Sequence, residues 1–447
     1  MIQQTVVVAP ATPRGQSALA VVRLTGSELA DVVDGFVRPI SPQPLGVGRP
    51  RRVELFDDSG VFDDGIMTLY ARPRTYTGED LAEITCHGNP LIVERLLAAA
   101  MNSGARMAEP GEFTRRAFLN GKTDLLRAEA VLQVSTATTA RGLQVGRDGL
   151  DGRLTSFVED VEAVLNDAAA ELEARLDYPA DELTLVEDAT LVTDLEKVAN
   201  QCEVLADTHA VGCILVGGAR VALVGAVNAG KSSLFNALLQ RERALVHNEP
   251  GTTRDVLEIP TVFGGVAVTL LDTAGERQTA DFVEAAGQAL SQRLVEDADL
   301  LLVVIRASTT GLCSLEREIL ERTANRPRLV VYNGVDLVDA AGAPNHSIAT
   351  VATTGLGVEE LKAQVVASLV GEENEESRLV IASARQRDRF HSVAGLLRQA
   401  VQAIDVAGVA VAGDLVLMAL EELAVLSGAE VREKVLDTLF SRFCVGK

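Results

Sequence analysis

The chain has 447 residues, a formal net charge of −22 and 47% hydrophobic residues. Such a length holds about three domains at about 150 residues each, and the acidity excludes a protein that grips nucleic acid with its whole surface, because phosphate binding rests on clustered Lys and Arg. Five scattered cysteines, Cys86, Cys202, Cys213, Cys313 and Cys444, give neither a disulfide framework nor a paired zinc spacing, so a reducing, cytoplasmic compartment is expected.

The opening "MIQQTVVVAPATPRG" lacks a basic start and breaks at Pro10, unlike a signal peptide. Residues 1–120 mix β-type runs ("TVVVA", "ALAVVRL", "AEITCHG") with one helical stretch, "PLIVERLLAAAMNSG", which predicts an α+β domain. From 121 to 215 apolar residues recur every three or four positions, as in "FVEDVEAVLNDAAAELEARL", and predict a helical bundle. Between 216 and 377 the β runs "RVALVG", "DLLLVVI" and "RLVVYN" alternate with helical ones, the pattern of a doubly wound α/β domain, and the acidic "GEENEES" closes it as a solvated linker. Helical patterning returns over 378–447, so the α/β domain reads as an insertion into a discontinuous helical domain. Within that last stretch "VAGVAVAGDLVLMAL" is interrupted by Asp414 and falls short of the roughly 20 residues of a membrane helix; it predicts a core helix and no membrane association.

The most specific signal is "RVALVGAVNAGKSSLFNALL". Gly225-x4-Gly230-Lys231-Ser232 follows a β run and opens a helical one, the context of a phosphate-binding loop. Backbone N–H groups of such a loop, including Asn228, Ala229, Gly230 and Ser233, close around phosphates at a helix N-terminus. Lys231 neutralises the β and γ oxygens, and Ser232 reaches Mg²⁺. "GTTRD" then supplies Thr253 as a second Mg²⁺ hydroxyl on a switch-type turn. "LLDTAG" places the Asp272 carboxylate on the metal side and Thr273, Ala274 and Gly275 beneath the γ-phosphate. "VVYNGVD" puts Asn333 and Asp336 after a β run, where an aspartate accepts from the N1 and N2 donors of guanine. Four elements in this order read as a Ras-like α/β GTPase.

These residues, with "TYTGEDLAEITCHGNP", "EPGEFTRRAFLNGKTDLLRAEAV", "DTAGER" and the terminal "LFSRFCVGK", resemble one family, the tRNA modification GTPase MnmE, also called TrmE. The resemblance is specific over 1–140, 216–361 and 428–447. It implies a homodimer with an N-terminal folate-binding domain, a helical domain split around a G domain, and a heterotetramer with a FAD-dependent MnmG-type partner. Together these install an aminomethyl-type group on C5 of the wobble uridine of certain tRNAs, with a tetrahydrofolate as one-carbon donor. By the same resemblance hydrolysis depends on K⁺, held by Asn228 and by the 247–252 loop (His247, Glu249, Thr252), while Asn248, Pro250 and Gly251 complete the nucleotide contacts. Glu284, twelve residues after Asp272, matches the glutamate that orients the attacking water. Val351, Ala352 and Thr353 match the base-side loop, and Arg23, Glu83 and Lys122 match folate contacts. The terminal lysine of the family motif is Lys447, and Cys444 matches a cysteine near the folate side, with a chemical role or packing both open.

Four positions depart from the family pattern. Gly334 replaces the lysine of Asn-Lys-x-Asp, Val351 the serine of a Ser-Ala pair, Glu276 an apolar residue, and Val227 a proline. These changes bear on nucleotide affinity and turnover. Two other readings remain: a regulatory switch of the ribosome-assembly type, and a scaffold that binds folate and partner but hardly turns over GTP. "RRAFLNGK" (115–122) also admits a small nucleic-acid patch. A prenyl anchor on Cys444 is not expected, because Lys is not a usual final residue of that motif and no polybasic stretch precedes it.

Overall fold

The computed structural model describes residues 5–40, 46–177, 187–239, 257–272, 296–308, 311–337, 346–371, 379–429 and 433–447. They fall into two compact units, one of residues 1–132, 149–186 and 403–447 and the other of residues 133–148 and 187–402.

The first unit opens with β1 (Val7–Pro10), β2 (Leu19–Thr25), α1 (Leu29–Asp34), β3 (Val37–Pro39), β4 (Arg51–Asp57), β5 (Gly60–Tyr70), β6 (Leu81–His87), α2 (Pro90–Asn102), β7 (Arg106–Met107) and α3 (Glu112–Leu119). The seven strands form one sheet in the order β3-β4-β5-β6-β2-β1-β7. Alternation along β2 and β6 sends Val22, Leu24, Ala82, Ile84 and Cys86 into a core shared with Leu96 and Ala100 of α2. The opposite parity, Arg23 with Glu83 and Leu19 with His87 as cross-strand partners, faces away from that core. Helix α2 starts where Pro90 fixes the first turn and the Asn89 side chain accepts from the Leu91 N–H. Helix α3 leads into α4 (Leu125–Thr136), and the last helix, α14 (Glu433–Phe440), packs on both: Leu125 and Ala128 are buried with Leu436, Phe440 and Phe443.

Helices α5 (Ala140–Leu150), α6 (Arg153–Asp177), α7 (Asp188–Asp207) and α8 (His209–Gly217) continue the chain. Helix α12 (Ala384–Val406) precedes α13 (Val409–Ser427), which buries Ala412, Val416, Ala419 and Leu423, and α6 buries Val158, Val161, Leu165 and Leu172 at the same spacing. These two are the most heavily packed helix pair of the first unit. The apolar run at 406–420 is therefore a helix of this pair, although Val411, Leu417 and Met418 stay exposed. Among the described residues no helix is long and apolar enough to cross a membrane.

The second unit holds the α/β elements: β8 (Ala219–Val224), α9 (Lys231–Leu239), β9 (Leu257–Phe263), β10 (Val266–Asp272), β11 (Leu300–Arg306), α10 (Ser314–Arg322), β12 (Arg328–Asn333), β13 (Ser347–Thr350) and α11 (Val358–Val370). The sheet order is β13-β12-β11-β8-β10-β9, parallel throughout except for β9, an antiparallel edge. A Gly264-Gly265 turn with both φ positive joins β9 to β10, as a two-residue hairpin of this twist requires. Central strands buried on both faces read as unbroken apolar runs, which explains why "DLLLVVI" and "RVALVG" are so plain in the sequence.

Candidate functional site

The parallel topology gathers one set of residues. β8, β10, β12 and β13 all end on the same edge of the sheet, and the chain just beyond their carboxyl ends carries the phosphate loop, Asp272, Asn333 and Val351-Ala352. This is the crevice where open α/β sheets bind ligands.

In the phosphate loop Asn228 has φ 64 and Gly230 φ 91. Asparagine tolerates this left-handed backbone better than most residues, so the identity of residue 228 is explained in part by its turn. Lys231 is buried, and its ammonium donates to the carbonyls of Gly225 and Ala226, both at 2.9 Å. Burial pulls its pKa below the ordinary lysine value, against the opposing pull of Asp272. The Ser232 hydroxyl lies 3.5 Å from Oδ2 of Asp272, which is itself buried. A hydroxyl beside a carboxylate is a hard oxygen donor set and fits Mg²⁺. Ser233 and Asn228 are exposed.

On the base side, Asn333 is buried and its amide spans two loops. Nδ2 donates to the Ala229 carbonyl at 3.4 Å, while Oδ1 accepts from the Ala352 N–H at 3.2 Å and the Thr350 hydroxyl at 3.3 Å. The Val351 N–H donates to the Leu356 carbonyl, and the Val351 side chain is buried. Both amide N–H groups of the Val351-Ala352 pair are thus engaged within the protein. Asp336 and Thr353 are exposed.

A second constellation sits on the open face of the N-terminal sheet. Arg23 and Glu83 are cross-strand partners joined at 2.6 Å and 3.0 Å, and the guanidinium lies 5.9 Å from the Tyr76 ring centre and 5.8 Å from that of Phe113. The Tyr76 hydroxyl is 2.8 Å from Thr114 Oγ1, and burial raises its pKa. The chain end lies close by: a Cβ on Gly446 would come within 2.2 Å of the Pro10 carbonyl, and Pro10 pairs with Val22, the neighbour of Arg23. The Cys444 carbonyl accepts from the Gly111 and Lys447 N–H groups. Lys122 is exposed, with its stem against Gly78. A carboxylate matched to amine donors, a cation and the exposed Tyr76 ring fit a pterin with an acidic tail, while Phe113 is wholly buried against Arg23.

Two comparisons settle the family. Residues 6–122 match the model for the GTP-binding protein TrmE N-terminus, and residues 125–444 match the MnmE helical domain. The chain is 36% identical over 469 residues to the tRNA modification GTPase MnmE of Roseiflexus castenholzii, with all of both chains covered. It is 37% identical over 460 residues to that of a Thermotoga species and 36% identical over 453 residues to that of Aquifex aeolicus, with 99% of each chain covered. The chain belongs to the MnmE family.

Several residues that the MnmE pattern marks, His247, Asn248, Glu249, Pro250, Gly251, Thr252, Thr253, Thr273, Ala274, Gly275, Glu276 and Glu284, lie outside the described residues. In the first basic run of the MnmE motif "EFTRRAFLNGK" Arg115 is partly exposed and paired with Asp437, while Arg116 is buried. Arg116 is 2% exposed, held by Glu79 at 2.8 Å, Glu112 at 2.8 Å and the Thr5 carbonyl at 3.1 Å. Burial pushes the Glu112 carboxyl up, but bonds from Arg106, the Glu109 N–H and Arg116 outweigh it and hold the carboxyl below its usual range. Cys86 and Cys202 are buried free thiols, pushed up by burial to about 11 and about 12, and suited to packing rather than reactivity. Three residues that the sequence reading passed over join the constellations: Thr350, Tyr76 and Phe113. The only cue to Thr350 was a polar residue closing a β run.

Proposed function

We propose that this MnmE-family chain, a GTP hydrolase that acts in tRNA modification, hydrolyses GTP in a K⁺-dependent manner. In this reading it works as a homodimer with a FAD-dependent MnmG-type partner, in a heterotetramer, to place an aminomethyl-type group on C5 of the wobble uridine. A tetrahydrofolate derivative bound at Arg23, Glu83, Lys122 and Lys447 supplies the carbon. The proposed domain limits are 1–120, 121–215 with 378–447, and 216–377.

The observation that carries the potassium reading is Asn228. Its backbone is left-handed at φ 64 in the middle of the phosphate loop and its side chain is exposed, so the amide oxygen is free to ligate a monovalent cation beside the phosphates. When bound, Mg²⁺ at Ser232 and Thr253 and K⁺ at Asn228, His247, Glu249 and Thr252 supply positive charge where the transition state gathers negative charge. The chain's own residues do the rest. Lys231 exchanges its two carbonyl acceptors for phosphate oxygens, and burial keeps that ammonium poorly solvated until it does so. Asn333 and Asp336 read the base edge, and Glu284 orients water. In the N-terminal sheet the Arg23–Glu83 pair, backed by Tyr76 and Phe113, supports folate binding, because the carboxylate is pre-oriented by the guanidinium. The open face around exposed Leu19 and Ile66 supports a subunit contact.

The test is GTP turnover in K⁺ and in Na⁺ at equal ionic strength, alongside calorimetry with tetrahydrofolate. Faster hydrolysis in K⁺ and saturable folate binding are expected. Equal rates in the two salts contradict the potassium site, and absent folate heat shifts the reading to a regulatory switch.

A further inference from the structure

Asn333 has a side chain that nothing intrinsic fixes. The terminal torsion of an asparagine is broad, so the direction of its amide N–H groups depends on partners. Here the oxygen takes two donors: the Ala352 N–H at 3.2 Å and the Thr350 hydroxyl at 3.3 Å. The Ala352 N–H can only donate, so it settles which end of the amide is oxygen. A single donor would still leave the plane free to swing about that bond; the second holds it.

Thr350 is built for that task. It is 0% exposed at the end of β13, in register with Asn333 on β12. Its carbonyl also accepts the Gly334 N–H at 2.7 Å, so one residue grips both the side chain of 333 and the backbone of 334. A β-branched side chain in a strand has little torsional freedom of its own. With Oδ1 filled twice, Nδ2 faces the phosphate loop. One of its hydrogens meets the Ala229 carbonyl at 3.4 Å, and the Gly230 Cα lies against it. The second hydrogen is left for an acceptor on a ligand, and guanine presents N7 as one.

We propose that Thr350 is a positioning residue for base recognition: its buried hydroxyl locks the Asn333 amide so that residue 333 donates to the acceptor N7 of the purine. The proposal rests on the reading of Asn333 as a base-side contact. The hydroxyl absent at 351 is present one residue earlier and reaches Asn333 from within the core.

The experiment measures equilibrium affinities of the full chain for GDP and for 7-deaza-GDP, in which N7 is replaced by C–H, with wild type, Thr350→Val and Thr350→Ser. Wild type binds GDP tighter by about 3- to 10-fold, the worth of one neutral hydrogen bond. Thr350→Val brings that ratio towards one by weakening GDP, and Thr350→Ser keeps it. A loss of folded protein lowers both affinities together and leaves the ratio untouched. A wild-type ratio preserved in Thr350→Val overturns the role of Thr350. A ratio of one in wild type overturns the base-side reading of Asn333, and the proposal with it.

Discussion

The Asn333 amide rests on Gly230: a Cβ added at Gly230 would lie 2.2 Å from Asn333 Nδ2. Gly230 also holds φ 91, a backbone that side-chain-bearing residues adopt at a cost of about 1–2 kcal/mol. The phosphate loop and the base loop therefore fit only while residue 230 has no side chain. Gly230→Ala displaces Asn333 and strains the loop together, and guanine nucleotide affinity is expected to fall by about tenfold or more in a fluorescence titration. Unchanged affinity would mean the two loops do not act as one site.

Arg116 carries a prediction for the N-terminal domain. It is 2% exposed and paired with Glu79 and Glu112, so removing it strips half-buried Glu79 of a partner and leaves buried Glu112 to Arg106 and the Glu109 N–H. Arg116→Met is expected to cost about 1–3 kcal/mol in denaturant unfolding, the scale of lost hydrogen bonds between charged groups. Arg116→Lys is not expected to restore this, since an ammonium lacks the fork that reaches Nε, NH1 and NH2 partners at once.

The pH dependence centres on His87, whose Nδ1 is 2.7 Å from Asp63 Oδ1. The hydrogen bond to Asp63 raises its pKa above 6.5, with the Asp63 charge adding to this. A raised folded pKa means a stabilising contribution that is complete below the ordinary value of about 6.5 and is lost as pH rises through the folded value. His87→Gln should therefore lower Tm relative to wild type on the acid side of about 6.5, with the difference shrinking above the folded pKa. The ring is exposed, so the effect is small and weakens with salt. A Tm difference that stays constant with pH would contradict it.

Gly334 stands at φ 84, where glycine is the unstrained residue. Restoring the family lysine, Gly334→Lys, is expected to cost about 1–2 kcal/mol of stability while its stem, covering the base, tightens GTP binding. A Cβ there meets only Leu337 Cδ1, at 3.6 Å, so the space is open. Thermal unfolding and nucleotide titration separate the two effects, and a stable variant with unchanged affinity would contradict both.

Much of the fold was legible where physics leaves a local mark. The parallel strands β8, β11 and β12 are buried on both faces and so stand out as apolar runs, and the phosphate loop is marked by glycines that its geometry demands. β4 and β5 escaped notice because they alternate with charged residues, such as Arg52 with Asp64, on their solvent side. Arg23 and Glu83 were marked singly by the family resemblance, but their contact was not legible, since residues 60 positions apart meet by strand register alone. The aromatic backing from Tyr76 and Phe113 and the hydroxyl of Thr350 left no local pattern, because their roles come from packing between distant segments. Arg116 runs the other way: basic letters admit a surface patch, yet this one is buried and paired with Glu79 and Glu112.

The proposed role in wobble-uridine modification of tRNA is open to a genetic test. Its most direct test is to delete the gene in its host and measure tRNA nucleosides by mass spectrometry. The aminomethyl-type group at C5 of the wobble uridine is expected to disappear, and a plasmid copy to restore it. An unchanged nucleoside profile in the deletion strain would overturn the wobble-uridine role.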